Sequence, residues 1–180
     1  KVIPGGNSLY SKRPEMFLPN HWPAHFSKSK DCYVWDLNNK KYVDMIFAVG
    51  TNVLGYNNKY VNDKVLQSIK KGNLSTLNSY DEVLLAEKLL SVNKWADMVK
   101  FARTGGEASA ISIRIARAFL KSRQNVAICG YHGWHDWYLA SNLSDKKSLN
   151  SHLADNVKID GVNKKLAGTA YTFRYNDPKS

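Results

Sequence analysis

Hydrophobic residues recur at helical spacing in several parts of the chain. In residues 60–71 the apolar side chains share one face of a predicted helix: Val61, Val65, Leu66 and Ile69. Ser79 and Glu82 form a capping-box pattern, which predicts the start of a second helix. Residues 107–121 again show helical spacing and predict a longer third helix.

Short β-rich runs complete the pattern. Residues 32–36 and 41–45 flank a turn that contains asparagine, which predicts a β-hairpin. Further strands are predicted at 98–102, 125–129 and 169–175. Because strands alternate with helices in the second part of the chain, we expect an α/β fold with a mostly parallel sheet.

The N-terminal part of the chain differs in composition from the rest. Residues 1–30 are rich in Pro, Asn and Ser, and they hold four of the five prolines. Proline prevents a long helix, so this segment is predicted to be an arm laid over another surface. We expect residues 1–75 to form a smaller layer and residues 76–180 to begin a larger α/β domain. Since the first residue is Lys1, the chain is expected to continue upstream.

The chain is strongly basic, with a formal net charge of +11. Clustered Lys and Arg neutralise nucleic-acid phosphates, so a nucleic-acid-binding domain is one alternative. The lysine pairs, however, are scattered: Lys40-Lys41, Lys70-Lys71, Lys146-Lys147 and Lys164-Lys165. A solvated Lys-rich surface is the simpler interpretation, and no nucleic-acid partner is expected. No apolar run approaches the roughly 20 residues of a transmembrane helix, so no membrane partner is expected either.

The two cysteines, Cys32 and Cys129, both fall in apolar, strand-like runs. Two buried free thiols are a simpler interpretation than a disulfide. Free thiols fit a reducing compartment, so we expect a cytoplasmic protein.

A strand-to-helix junction at residues 101–108 is the most informative local feature. Thr104, Gly105, Gly106 and Glu107 turn the chain at the predicted helix start. Backbone N–H groups at a helix N-terminus form an anion site, and glycine lets a phosphate approach the backbone. The alternative is purely structural, with Thr104 and Glu107 as a capping box and the glycines serving only the turn.

A second loop follows the strand predicted at 125–129. Its aromatic ring at Tyr131 could stack on a planar cofactor, and it lies at the sheet edge where α/β folds bind ligands. His132, His135 and Asp136 could suggest a metal site. We expect none, because the chain has five histidines, no second ligand cluster and no zinc-protease motif.

Together the two loops resemble the class III aminotransferases. Three segments carry the pattern in order: Thr104-Gly105-Gly106-Glu107-Ala108, Arg114-Ile115-Ala116-Arg117 and Tyr131-His132-Gly133. The hairpin from Asp36 to Asp44 is similar to the family's hairpin, with Asn39 where glycine is usual. The opening residues 3–8 are similar to glutamate-1-semialdehyde aminomutases.

The resemblance implies a fold-type I pyridoxal-phosphate (PLP) transferase. Residues 1–75 would be the arm and hairpin–helix part of its small domain, and residues 76–180 the incomplete start of its PLP-binding large domain, with a mostly parallel sheet. It also implies four cofactor-binding residues. Gly105 and Gly106 would hold the cofactor phosphate through their backbone N–H groups, Tyr131 would stack on the pyridine ring, and His132 would lie close by.

The substrate side matches the aminomutases less well. Ser11 stands where they carry an arginine for the substrate carboxylate, and Val49 stands where they have a pocket tryptophan. Beside the phosphate, Arg103 replaces asparagine and Gly106 replaces threonine or serine. The departures at Ser11 and Val49 favour a relative of the same subfamily that acts on another amine, a keto acid or a sugar. Those at Arg103 and Gly106 are expected to weaken or merely alter the hold on the phosphate. The aminomutase itself and a non-catalytic PLP-fold binding module stay open as alternatives.

By the same resemblance the complete protein is expected to transfer an amino group between a small-molecule donor and a carbonyl acceptor, as a homodimer. The lysine that forms a Schiff base with the cofactor comes later in such chains, so no catalytic residue is assigned within residues 1–180, and this segment alone is expected to be inactive.

Overall fold

The computed structural model describes residues 2–9, 12–72, 74–150, 152 and 157–180. The chain divides into two compact units, Lys1–Leu85 and Ala86–Ser180. Each unit is described by itself below. The domain boundary predicted after residue 75 stays a prediction.

The first unit contains an antiparallel sheet with the strand order β1-β2-β3. Strand β2 (Tyr33–Asp36) pairs with β3 (Lys41–Val43), as the hairpin pattern predicts. The turn between them places Asn39 at a φ of 61°, in the left-handed region. Asparagine tolerates that region better than most residues, so it suits this position of the turn.

Strand β1 (Phe26–Lys30) lies in the segment that was predicted to be an irregular arm. That prediction was wrong for these five residues, which pair with β2 through a register shift between Phe26 and Lys28. The strand alternates serine and lysine and is mostly exposed, so it lacks the apolar signal of a buried strand. Lysine-rich strands of this kind are typical of sheet edges. Upstream, short 3-10 turns form at Pro4–Gly6 and Pro14–Met16.

A single-turn element, α1 (Phe47–Gly50), follows the hairpin and has unusual backbone angles. Phe47, Ala48 and Val49 all have positive φ values, between 49° and 61°. Regular helices come next. Helix α2 (Lys59–Lys71) begins at Asn58, whose side chain accepts a hydrogen bond from the Val61 N–H, and ends at Gly72 with a φ of 97°. Helix α3 (Tyr80–Val92) begins after Ser79, as the capping pattern predicts.

The second unit carries the α/β part of the fold. Its long helix, α4 (Gly105–Leu120), matches the predicted third helix. Strand β4 (Val126–Ile128) pairs in parallel with β5 (Ala170–Thr172), so two of the predicted strands form a parallel pair. The short helices α5 (Asp136–Leu139) and α6 (Ser141–Ser144) follow β4. A small core lies between these elements: Ile128, Tyr138, Leu149 and Ala170.

The strand predicted at residues 98–102 is absent. An extended run becomes a strand only when a neighbouring strand satisfies its backbone N–H and C=O groups. Within the described parts of the chain, no backbone group of residues 98–102 takes part in a ladder. The apolar pattern of this segment was therefore not sufficient to predict pairing.

Both cysteines are free thiols, as predicted. They are half-buried, whereas fully buried thiols were expected. Among the described residues, no group of three or more His, Cys, Asp or Glu side chains could hold a metal ion. Over the same residues, no helix has the length and apolar character needed to cross a membrane.

Candidate functional site

The N-terminus of α4 is held by hydrogen bonds among three residues, Arg103, Thr104 and Glu107. Thr104 caps the helix, its Oγ1 accepting the Glu107 N–H at 3.1 Å. The Glu107 carboxylate reaches back to the backbone N–H of Arg103 at 2.9 Å and to its guanidinium at 2.8 Å. Hydrogen bonds from the Arg103 side chain and backbone lower the pKa of Glu107. The predicted capping box is thus present, with the return contact made one residue earlier than the cap.

This network leaves the two glycines unused. Within the described residues, the N–H groups of Gly105 and Gly106 have no hydrogen-bond acceptor. Both groups lie in the first turn of a 16-residue helix, where the helix dipole favours an anion. The turn therefore offers two free donors and a partial positive charge to a phosphate-sized ligand.

The loop after β4 carries Tyr131 and His132, and both rings contact the same buried side chain. That side chain is Tyr138, which is fully buried and donates its hydroxyl to the Gly130 carbonyl at 3.2 Å. Burial, followed by the nearby Tyr131, raises the pKa of Tyr138, so the hydroxyl is held as a neutral donor. Tyr131 meets Tyr138 edge-on, with 6.2 Å between ring centroids, and stays 57% exposed. Its exposed ring face is thus open to a planar ligand.

His132 is held from two sides. Its Nε2 lies 3.1 Å from the Cys129 carbonyl oxygen, and its ring meets Tyr138 at a centroid distance of 5.9 Å. The half-buried ring is therefore oriented by the strand end and by the core tyrosine. A third histidine supports the loop from behind, because His152 Nδ1 accepts the Gly130 N–H at 2.8 Å.

The two loops touch through their glycines. A Cβ atom on Gly133 would lie 3.0 Å from the Gly106 Cα, and Gly133 itself has a φ of 100°. A Cβ atom on Gly106 would lie only 2.8 Å from both Cε1 and Nδ1 of His135. The predicted phosphate turn and the predicted stacking loop are thus brought together within the second unit, although the strand expected to lead into the turn is absent among the described residues.

His135 was named in the sequence only as a weak metal candidate, and its contact with Gly106 was not foreseen. Its ring stacks on Trp134 with 4.7 Å between centroids. Its Nδ1 is buried and has no hydrogen-bond partner in the described part of the chain. Together with Arg103 and Glu107 it lines an open groove of about 690 Å³ beside α4. Of the neighbouring aromatics, Tyr138 is core and Trp134 is 72% exposed.

The predicted substrate-side positions belong to the first unit. Ser11 lies outside the described residues. Val49 is 60% exposed within α1. Asp44 stabilises the start of α1, because its Oδ1 accepts hydrogen bonds from the N–H groups of Ile46 and Phe47.

The turn at Gly105 and Gly106, together with the loop that carries Tyr131, fits a phosphorylated planar cofactor. It has two unpaired N–H donors, a glycine at the point of closest approach, and an exposed tyrosine on the adjoining loop. These features match the phosphate and the aromatic ring of PLP. The cationic Arg103 side chain nearby is already paired with Glu107.

Solved structures have the same fold, and transaminases are among them. The FumI protein of Sphingopyxis sp. MTA144, in its PLP internal aldimine form, aligns with a TM-score of 0.79 and 24% identity over 98% of this chain and 38% of its own. An omega-transaminase from Sphaerobacter thermophilus aligns with a TM-score of 0.79 and 22% identity, over 98% of this chain and 40% of its own. The fold is therefore the predicted one, the α/β fold of fold-type I PLP-dependent transferases.

The sequence places the chain within that fold. The family model for class III aminotransferases matches residues 18–169, and the chain belongs to this family. It is 32% identical to 3-aminobutyryl-CoA aminotransferase of Cloacimonas acidaminovorans over 98% of its length. It is 30% identical to glutamate-1-semialdehyde 2,1-aminomutase of Wigglesworthia glossinidia brevipalpis over its whole length. The chain spans 38% and 40% of these two relatives, about two fifths of each.

Proposed function

We propose that the complete protein transfers amino groups with PLP as its cofactor, and that this chain supplies the cofactor half of the site. The observation that carries the proposal is the meeting of the Thr104–Gly106 turn with the Tyr131–Gly133 loop. Two backbone donors at the positive end of a helix dipole lie on the turn that contacts the loop carrying the exposed Tyr131. Membership of the class III family supports the same chemistry.

Each of the predicted residues has a distinct role in the proposal. Gly105 and Gly106 bind the phosphate through their N–H groups, and Tyr131 stacks on the pyridine ring. His132, fixed by the Cys129 carbonyl, borders the ring and limits its movement. PLP supplies the electron sink for amino transfer when it is bound. The residues of this chain supply binding and orientation.

The remaining parts of the reaction belong to the complete protein. We place the lysine that reacts with the cofactor downstream of residue 180, so residues 1–180 alone are inactive. The proposed substrates are a small amino donor and a carbonyl acceptor. Residues 1–75 are assigned to the small domain and 76–180 to the start of the large domain of a cytoplasmic homodimer.

Glutamate-1-semialdehyde aminomutase activity is the second candidate, because several similar relatives carry that name. Val49 argues against it, since this exposed aliphatic side chain stands where the aminomutases have a tryptophan. The two candidates differ in whether the amino group leaves the substrate or returns to another of its carbons. Product analysis with a single substrate distinguishes them.

A borohydride labelling experiment tests the proposal directly. The complete protein is loaded with PLP, reduced, digested and mapped by mass spectrometry. We expect one cofactor-labelled lysine outside residues 1–180, and loss of amino transfer when that lysine is replaced by alanine. Absence of labelling under saturating PLP would refute the cofactor, and a label on a lysine within this chain would refute the division of roles.

A further inference from the structure

His135 stands in the space that the side chain of residue 106 would need. A Cβ atom on Gly106 would lie 2.8 Å from two atoms of the His135 ring, closer than real side chains approach. A residue with a side chain at position 106 could not be accommodated here unless the ring moved. Here the turn has no side chain, and an imidazole from the other loop fills the gap.

The contact links His135 to the donors at the start of α4. The ring packs against Gly106, one of the two residues whose N–H groups have no acceptor in the described structure. Glycine has the widest backbone freedom, so two successive glycines would leave these N–H groups loosely directed. A ring packed against the second glycine restricts its rotation and keeps both N–H groups directed outward.

The ring is held in this position at some energetic expense. Its Nδ1 is buried without a partner among the described residues, and leaving a buried polar atom without a hydrogen bond is unfavourable. Such atoms call for an explanation and are typical of functional sites. The ring also stacks on Trp134. The arrangement favours a role in the site over simple filling of the core, where an apolar side chain would pack without that cost.

We propose that His135 is a positioning residue for the cofactor phosphate, replacing through space the side chain that Gly106 lacks. The inference rests on the proposed PLP function and extends it to a residue outside the recognised motif. The ring itself does not contact the reacting atoms. It acts by fixing the direction of the Gly105 and Gly106 N–H groups.

The test compares two ligands that differ only in the phosphate. Equilibrium affinity for PLP and for pyridoxal is measured on the complete protein and on three variants: His135→Ala, Gly106→Thr and the double variant. We expect His135→Ala to weaken PLP binding by about tenfold, the effect of losing roughly one hydrogen bond to an anion, with pyridoxal affinity unchanged. Gly106→Thr alone should also weaken PLP binding, because its side chain meets the ring.

The double variant distinguishes positioning from general damage to the fold. With the ring removed, threonine at position 106 has room, and PLP affinity should return to within about threefold of the wild-type value. His25→Phe, at an exposed histidine of the first unit, serves as the matched control and should change neither affinity.

Three results would overturn the inference while leaving the proposed function intact: unchanged PLP affinity in His135→Ala, an equal loss for PLP and pyridoxal, or a double variant no better than either single one. A wild-type protein that binds neither ligand would instead refute the proposed cofactor, and this inference with it.

Discussion

Tyr56 donates its hydroxyl to Oδ2 of Asp44 at 2.5 Å, while Oδ1 of the same carboxylate accepts the N–H groups of Ile46 and Phe47. One aspartate thus joins the end of the hairpin to the turn of α1 and to the segment that precedes α2. The Tyr56 ring also stacks on Phe47 with 5.7 Å between centroids. This cluster stabilises a stretch of backbone in which three successive residues have positive φ.

Replacing Tyr56 by phenylalanine is expected to loosen this part of the first unit. The ring contact is kept, but a hydrogen bond to a charged group is lost, which corresponds to about 1–2 kcal/mol. Amide hydrogen exchange at Ile46 and Phe47 should quicken by the corresponding factor of roughly 5 to 30. Tyr60→Phe, at a tyrosine that is 72% exposed, is the control and should leave these amides unchanged. Equal protection in both variants would contradict the assigned role.

The same pair predicts an alkaline titration. Burial, and then the hydrogen bond and charge of Asp44, raise the pKa of Tyr56 to about 12. The folded state therefore keeps its proton when the unfolded state has lost it, so stability is full below about pH 10 and falls as the pH rises through the folded value of about 12. Carbon-13 NMR of labelled tyrosine should show one resonance that titrates late. Asp44→Asn should lower that pKa without restoring it fully, because burial remains.

In acid the pH dependence of stability has the opposite direction, because the pKa of Asp44 is lowered and not raised. Burial acts to raise the pKa of Asp44, but the hydrogen bonds from Tyr56, Ile46 and Phe47 outweigh it and lower the pKa below its ordinary value. The carboxylate therefore stabilises the fold above the pKa of the unfolded chain, and that contribution is lost as the pH falls through the lower folded value. Hydrogen exchange near α1 is expected to show this loss of protection in acid, and Asp44→Asn should abolish its pH dependence.

The hairpin turn provides a prediction about backbone conformation. Asn39 has a φ of 61°, so Asn39→Gly should keep or slightly raise hairpin stability, whereas Asn39→Val should lower it by about 1–2 kcal/mol. Asn38→Val is the matched control, since the neighbouring residue has no positive φ. Protection of the Lys40 amide, which donates to Asp36 at 2.9 Å, reports the result. Equal effects at both positions would show that the turn does not depend on the left-handed residue.

Tyr131 is expected to contribute through its ring and not through its hydroxyl. The hydroxyl has no partner among the described residues, while the ring is exposed and held edge-on by Tyr138. Tyr131→Phe should therefore keep PLP affinity within about threefold, and Tyr131→Ala should lose about tenfold, equivalent to roughly 1.4 kcal/mol of stacking. Fluorescence quenching by PLP measures both. A large loss in the phenylalanine variant would point to a role for the hydroxyl instead.

Local patterns predicted local structure well. The helix starts at Ser79 and Thr104 could be predicted because capping and hydrophobic spacing act within a few residues. Pairing was harder to predict. Residues 98–102 have a strand-like pattern without a partner among the described residues, and β1 has a partner without a strand-like pattern.

In the candidate site, too, local features could be predicted and contacts between distant residues could not. Gly105 and Gly106 could be singled out as a phosphate turn because the signal lies in adjacent residues. The contact of His135 with Gly106 could not, since it joins two separate loops. The contacts of Tyr138 with Gly130 and Tyr131 depend on the orientation of its ring. The close approach of Gly106 and Gly133 depends on the tertiary structure, so the sequence alone does not show it.

The approach of Gly106 to Gly133 also bears on how this protein can be engineered. A turn with threonine at position 106 would collide with His135, and a loop without that histidine would leave the space beside Gly106 unfilled. The two loops must be exchanged as a pair. For chimaeras between family members, crossover points that separate residue 106 from residue 135 are the ones to avoid.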